Sequence, residues 1–220
     1  MANFRTHVLG AAIVATIGAI TVINADLVSP GAALLCASLG TLGGILPDID
    51  ADQSLPTRFI FSALGIAAAV ATTVTLYGTQ PPALVAVTAI VALLLVSVGL
   101  RALSNKLCVH RGLVHSIPSA ALCGAATASL ATRLFDIGPL HSWLYGTFIC
   151  AGFIVHLVLD ELSSVDLVNA RIRRSFGTAL KVGVRTSPLR CALVCAVTFG
   201  LVRAGPPTGP LIRRLMAIFS

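Results

Sequence analysis

Long apolar runs, each cut short by proline or glycine, constrain this chain more than any other feature. A helix needs roughly 20 mostly apolar residues to cross a hydrocarbon core about 30 Å thick. Seven stretches meet or approach that length: 7–24, 31–47, 59–77, 82–100, 114–134, 143–160 and 189–204. Breakers separate them, among them "SPG" at 29–31, "GTQPP" at 78–82, "DIGP" at 136–139 and "GPPTGP" at 205–210. Charged residues make up 10% of the chain and its mean hydropathy is +0.95, whereas a soluble domain carries roughly 25% charged residues. So little polar surface cannot coat a water-soluble globule, and no region is polar enough to form a separate catalytic domain.

The expected fold class is therefore all-α: a polytopic transmembrane helix bundle of about seven membrane segments. It is read as a single integral-membrane domain over 1–220, with the bundle in 1–204 and a tail in 205–220. The tail "LIRRLMAIFS" sets two arginines among apolar residues and suits a short C-terminal interfacial helix. The first run is expected to be a retained span, because "VINAD" places Ile23 where a cleavage site needs a small residue. Glycines in "GAALLCASLGTLGGIL" permit close helix–helix approach. The six cysteines, mostly in apolar runs, imply no disulfide framework. Cys191 and Cys195, one helical turn apart, read as packing; Cys108, two residues before His110, could be a metal ligand but stands outside the favoured set.

Net charge is +7 and the excess is mostly arginine. Nucleic acid is not expected as a partner; the basic residues flank spans and face anionic lipid. With the N-terminus cytoplasmic, Arg5, Arg58, Arg101, Lys106, Arg111, Arg171, Arg173, Arg174, Lys181, Arg185 and Arg190 fall on or border the cytoplasmic side. Arg133, Arg203, Arg213 and Arg214 fall opposite. Positive charge favours the cytoplasm, so this orientation is the expected one.

It also gathers the polar motifs at one membrane face. His7 opens the first span. "LPDID" ends the second and carries Asp48 and Asp50, with Asp52 just beyond. "HRGLVHS" leads into the fifth with His110 and His115, and "HLVLD" ends the sixth with His156 and Asp160. Spacing i, i+4 puts His156 and Asp160 on one helix face. A turn at Gly112 can aim His110 and His115 together, with the helix starting near His115 or Ser116. Clustered carboxylates repel one another unless cations neutralise them, and neutral imidazole is a common ligand for zinc-class ions. His7, Asp48, Asp50, His110, His115, His156 and Asp160 are thus the candidate metal ligands. This set is larger than the four that one structural zinc takes, so more than one divalent ion is expected, zinc favoured over manganese or iron. His141, beside Trp143 in the opposite loop, is expected to be interfacial and without a catalytic part.

Together, in this order, the N-terminal histidine, "LPDID", "HRGLVHS" and "HLVLD" resemble the YdjM-like family of inner-membrane proteins, described as membrane-bound metal-dependent hydrolases. The likeness covers His7 to about Pro188 and implies the same seven residues as the metal set. The family often continues "PDIDH", where this chain has Ala51 followed by Asp52. The basic loop "LKVGVRTSPLR" at 180–190 is similar to the family's loop after the sixth span, but Ser187 stands without the acidic residue common there. A looser similarity, in ligand set and helical make-up, is to the zinc-dependent phospholipase C class.

The expected activity is hydrolysis of a phosphoester, in a lipid or lipid-linked substrate, by metal-activated water. Asp50 and Asp160 are the candidates to move the proton, and Arg111 to neutralise phosphoryl charge. Two other readings remain: a metal-ion or proton transporter, and a structural or regulatory protein whose metal staples helices. The expected location is the inner membrane with the bilayer as surroundings; oligomeric state is not legible.

Overall fold

The computed structural model describes residues 4–50, 55–102, 115–163, 165–166, 171–172 and 188–219. Helix α1 covers Phe4–Asn24, α2 Pro30–Gly43, α3 Leu55–Leu76, α4 Pro82–Leu94, α5 Ile117–Phe135, α6 Pro139–Leu162, α7 Pro188–Ala204 and α8 Gly209–Phe219. A 3-10 turn, Leu46–Asp50, follows α2, and a π-helical turn, Leu95–Leu100, continues α4. A two-residue antiparallel pair sets β1, Val165–Asp166, against β2, Arg171–Ile172, with Val165 opposite Ile172.

Local chemistry places the helix ends. Ser29 caps α2 by accepting from the Ala32 N–H, with Pro30 supplying a preset φ in the first turn. Ser116 caps α5 in the same way, accepting from the Ser119 N–H, and Pro118 stands in the first turn. Asp136 ends α5 in the left-handed region, at φ 50°, and Pro139 begins α6 three residues later.

The all-helical membrane fold is as expected. Among the described residues, four stretches are long and apolar enough to cross a membrane: Phe4–Asn24, Pro30–Asp48, Pro82–Gly99 and Pro139–Leu162. By that measure the expected seven segments are not reached. The three not counted are α3, whose apolar part is Leu64–Leu76, α5, which dilutes its apolar residues with serine, threonine and glycine, and α7, 17 residues long.

The chain divides into two compact units, Met1–Pro47 with Gly112–Ser220, and Asp48–Arg111. In the first, α6 is central and packs against α5, α2, α1 and α8. It runs antiparallel to α1, with Gly10 against Leu159 and Gly18 against Phe148. It runs parallel to α2, whose Gly40 backbone leaves no room for a Cβ on Gly152. Gly124 and Gly146 bring α5 and α6 equally close. Without a hydrophobic drive between helices in lipid, such small-residue contacts provide the van der Waals packing that holds them together. Phe153 and Leu157 fill the space towards Ala120 of α5. Helix α7 follows α5, with the Ser129 hydroxyl donating to the Leu201 carbonyl and Arg133 donating to that of Ala204 at 2.7 Å. The Trp143 indole donates to the Pro206 carbonyl and ties the start of α8 to α6.

In the second unit α3 packs on α4 and its π turn. Gly78, at φ 77°, sits in the turn between the two helices, and Gly65 lets Leu93 and Ser97 approach the α3 backbone.

Candidate metal centre

Helix α1 buries one narrow stripe: His7, Ala11, Ala15 and Ala19, each four residues apart. Ala11 and Ala15 let α1 lie close to Gly44 and Gly40 at the end of α2, and His7 heads the stripe. On α6 the buried face includes Gly152, Phe153, His156, Leu157 and Asp160, so histidine and carboxylate end a stripe that is otherwise apolar. His115 precedes the Ser116 cap of α5 and is carried to the same end of the unit. Exposure is 2% for His7, 4% for His115, 0% for His156 and 8% for Asp160. Four polar side chains, each at least nine-tenths buried, meet where α1 begins, α6 ends and α5 is about to start.

Asp160 is the hub. His7 Nε2 lies 3.3 Å from its Oδ1, while His156 Nε2 and His115 Nε2 lie 3.6 and 3.9 Å from its Oδ2. The His7 and His156 rings stack with centroids 3.7 Å apart and planes 14° from parallel. His115 stands edge-on to His156 at 5.7 Å.

One hydrogen bond decides how this group can be charged. His156 Nδ1 is 2.8 Å from the Gly44 carbonyl oxygen. A carbonyl only accepts, so Nδ1 carries the proton and donates. In the neutral ring the lone pair is then on Nε2, which faces Asp160. A lone pair aimed at a carboxylate is repulsive unless a proton or another cation lies between. A proton on His156 Nε2 or a metal ion there meets that condition. Metal-bound histidines commonly donate their other ring N–H to a backbone carbonyl, as His156 does.

Spacing gives an independent check. Ligand atoms about 2.0–2.2 Å from a tetrahedral zinc-class ion stand roughly 3.3–3.6 Å from each other. His7 Nε2 to Oδ1 at 3.3 Å and His156 Nε2 to Oδ2 at 3.6 Å are of that length, each to its own carboxylate oxygen, while His115 Nε2 at 3.9 Å is longer; all three exceed an ordinary N–H···O bond of 2.7–3.2 Å. The ligand atoms of His7, His156 and Asp160 all lie within 4.8 Å of one another, as a shared ion requires. His7 Nδ1 has no hydrogen-bond partner among the described residues, so this ring is free to present either nitrogen. The nitrogen-and-oxygen donor set is one that fits a divalent metal.

Of the seven ligands expected from sequence, the structure brings together His7, His115, His156 and Asp160. Asp48 lies in the 3-10 turn Leu46–Asp50 and opens the second unit. Asp50 ends that turn; its side chain, His110 and Arg111 lie outside the described residues. His141, expected in a loop, sits in the first turn of α6, its ring 6.4 Å from that of Tyr145 and fifteen positions before His156. Sequence reasoning missed the Gly44 carbonyl. No side-chain letter announces it, although the glycine pair at 43–44 beside "LPDID" marks a place where backbone can come close.

Neither the curated proteins nor the solved structures include a match to this chain. The sequence profile of the YdjM inner membrane protein family matches residues 1–168, which spans α1 to α6 and takes in all four clustered side chains. Apolar helices of membrane length, buried polar groups at one end, and a family match over most of the chain agree: this protein belongs to the YdjM inner membrane protein family and is an integral protein of the inner membrane.

Proposed function

We propose that this protein is a membrane-embedded, metal-dependent hydrolase of a phosphoester in a lipid or lipid-linked substrate. The observation that carries the reading is the buried group of three imidazoles and one carboxylate, with His156 oriented by the Gly44 carbonyl. His7, His115, His156 and Asp160 hold the ion, zinc favoured, with manganese or iron as the other fits. Asp48, Asp50 and His110 are the further ligands expected from the sequence, for a second ion. When bound, a zinc-class ion supplies Lewis acidity to a phosphoryl oxygen and makes water acidic enough to attack near neutral pH.

The chain's own residues do the rest. Asp160 or Asp50 accepts the proton of the attacking water. Arg111 pairs with the phosphoryl oxygens. The apolar helix stripes beneath the cluster exclude bulk water, which strengthens each charge interaction there. In this account the chain crosses the membrane seven times, with the N-terminus and the cluster on the cytoplasmic side, where the basic residues concentrate.

The test uses full-length protein in lipid nanodiscs, with added Zn²⁺ or Mn²⁺, offered phospholipids and chromogenic phosphoesters. We expect turnover that falls by about 10²-fold or more in Arg111→Gln and in Asp160→Asn. Absence of turnover with every metal and substrate contradicts the proposal.

Meeting at three helix termini also suits a metal that only ties helices together; that reading predicts metal without turnover. For a transporter, ionisable groups line a path through the bilayer. The buried histidine and aspartate side chains among the described residues gather at one end, which disfavours it, and metal-dependent flux into proteoliposomes would restore it.

A further inference from the structure

Apolar space remains in the first unit beyond the His/Asp cluster, towards the end of α6 where His141 lies. A groove of about 330 Å³ runs between α1 and α6, lined by residues that include Val14, Gly18, Thr21, Phe148 and Ala151, with Leu211 of α8 at its end. Its volume falls in the range of roughly 300–1,000 Å³ typical of small-molecule sites. On α1 the lining runs from Val14 to Val22, about 12 Å at 1.5 Å per residue. Val14 is seven and Thr21 fourteen positions beyond His7, about 10 and 21 Å along the helix, so the groove runs from mid-helix to the end of α1 away from the cluster.

The walls are apolar in a stronger sense than their letters suggest. The Thr21 hydroxyl donates to the Ile17 carbonyl at 2.9 Å, and that of Thr147 to the Trp143 carbonyl at 2.8 Å. Both threonines have spent their hydroxyl protons on their own helices, so neither needs a donor partner in the groove. A narrow, methyl-lined groove in a bilayer-embedded bundle fits a hydrocarbon chain.

At the far end the chemistry changes. Helix α8, Gly209–Phe219, sends Leu211 into the groove and follows it with Arg213 and Arg214, both exposed. The guanidinium-bearing residues are thus two and three positions, about 3–4.5 Å of helix rise, from the residue that closes the groove. The Trp143–Pro206 hydrogen bond and packing of α8 on α6 hold this end in place. A hydrocarbon groove with two exposed arginines on the helix that closes it is complementary to one kind of molecule.

We propose that the α1–α6 groove and α8 form a binding site for one anionic phospholipid, its acyl chain along α1 and its phosphate at Arg213 and Arg214. The site is separate from the His/Asp cluster and does not depend on what that cluster does. Each juxtamembrane arginine is worth about fivefold in affinity for an anionic surface, about 1 kcal/mol.

Native mass spectrometry of the full-length protein tests this, after exchange into an equimolar mixture of phosphatidylglycerol and phosphatidylcholine in detergent. Wild type should retain one phosphatidylglycerol, enriched on the order of tenfold over phosphatidylcholine. Arg213→Gln with Arg214→Gln should abolish the enrichment. Thr21→Phe, at an exposed position that narrows the groove, should reduce retention of both lipids. Metal content should stay unchanged in all variants, which separates this site from the metal reading. Equal retention of both lipids by wild type, or unaltered retention in both variants, overturns the proposal and reduces the groove to ordinary contact with bulk lipid.

Discussion

His156 is oriented by a backbone carbonyl, and this determines how its substitutions differ. Asparagine can still donate to Gly44 from its amide but offers no nitrogen where Nε2 stood; alanine loses both. Both variants should lose the metal. In chelator-treated protein His156→Ala should be the less stable by about 1–3 kcal/mol, the cost of leaving a buried carbonyl unpaired. Thermal unfolding in detergent measures that difference, and equal stability would remove the hydrogen bond from the account. Asp160→Asn replaces a buried charge by a neutral amide. It should lower metal affinity by at least about 100-fold, checked by competition with a fluorescent zinc chelator. At this scale sequence reading did well where the chemistry has a letter. His7, His115, His156 and Asp160 were legible because ionisable residues in apolar runs are costly and face the bundle interior. The tautomer of His156 was not, because it is set by a peptide group.

Helix packing depends on backbone contact at Gly152. A methyl group there would overlap the Gly40 carbonyl, and neither backbone can move without shifting α2 against α6. Gly152→Ala should therefore destabilise by about 1–3 kcal/mol. It should also weaken metal binding, since Gly152 is one turn before His156 on the same buried stripe. Gly31→Ala is the control: nothing lies within 4 Å of the added carbon, so stability should hold or rise by up to about 1 kcal/mol. Unfolding temperature and metal retention, read on the two variants side by side, check this. The helices themselves were legible as apolar runs bounded by proline and glycine. Which helices pair was not, because a glycine such as Gly40 permits a close partner without naming it. The caps at Ser29 and Ser116 could be anticipated from Ser-Pro and Ser-Ile-Pro spacing.

Across the first unit, helix directions put the start of α1 and the start of α8 at opposite ends. Helix α1 leaves the His/Asp end, α6 returns to it, and α7 runs beside α5 to the end where Arg133 meets Ala204. A tag before residue 4 and a tag inserted at residue 207 should be accessible from opposite sides of the membrane, as protease protection in sealed inside-out vesicles reports. The orientation proposed from basic residues expects the N-terminal tag to be the cytoplasmic one. Composition sufficed for the membrane class, since 10% charge cannot coat a soluble globule. It did not suffice for span number, because α5 and α7 are too polar or too short to be read by hydropathy alone. The division into two units had no sequence signal: the apolar runs of α3 and α4 look like the others.

The account rests on a cation held between α1 and α6, and elemental analysis of purified full-length protein tests that most directly. After exchange into metal-free buffer, wild type should retain about one equivalent or more of a transition metal per chain. The combined His7→Ala and His156→Asn variant, folded by circular dichroism, should retain less than about a tenth of that. Wild-type protein that holds no metal even after incubation with Zn²⁺, or a double variant with undiminished content, would contradict it.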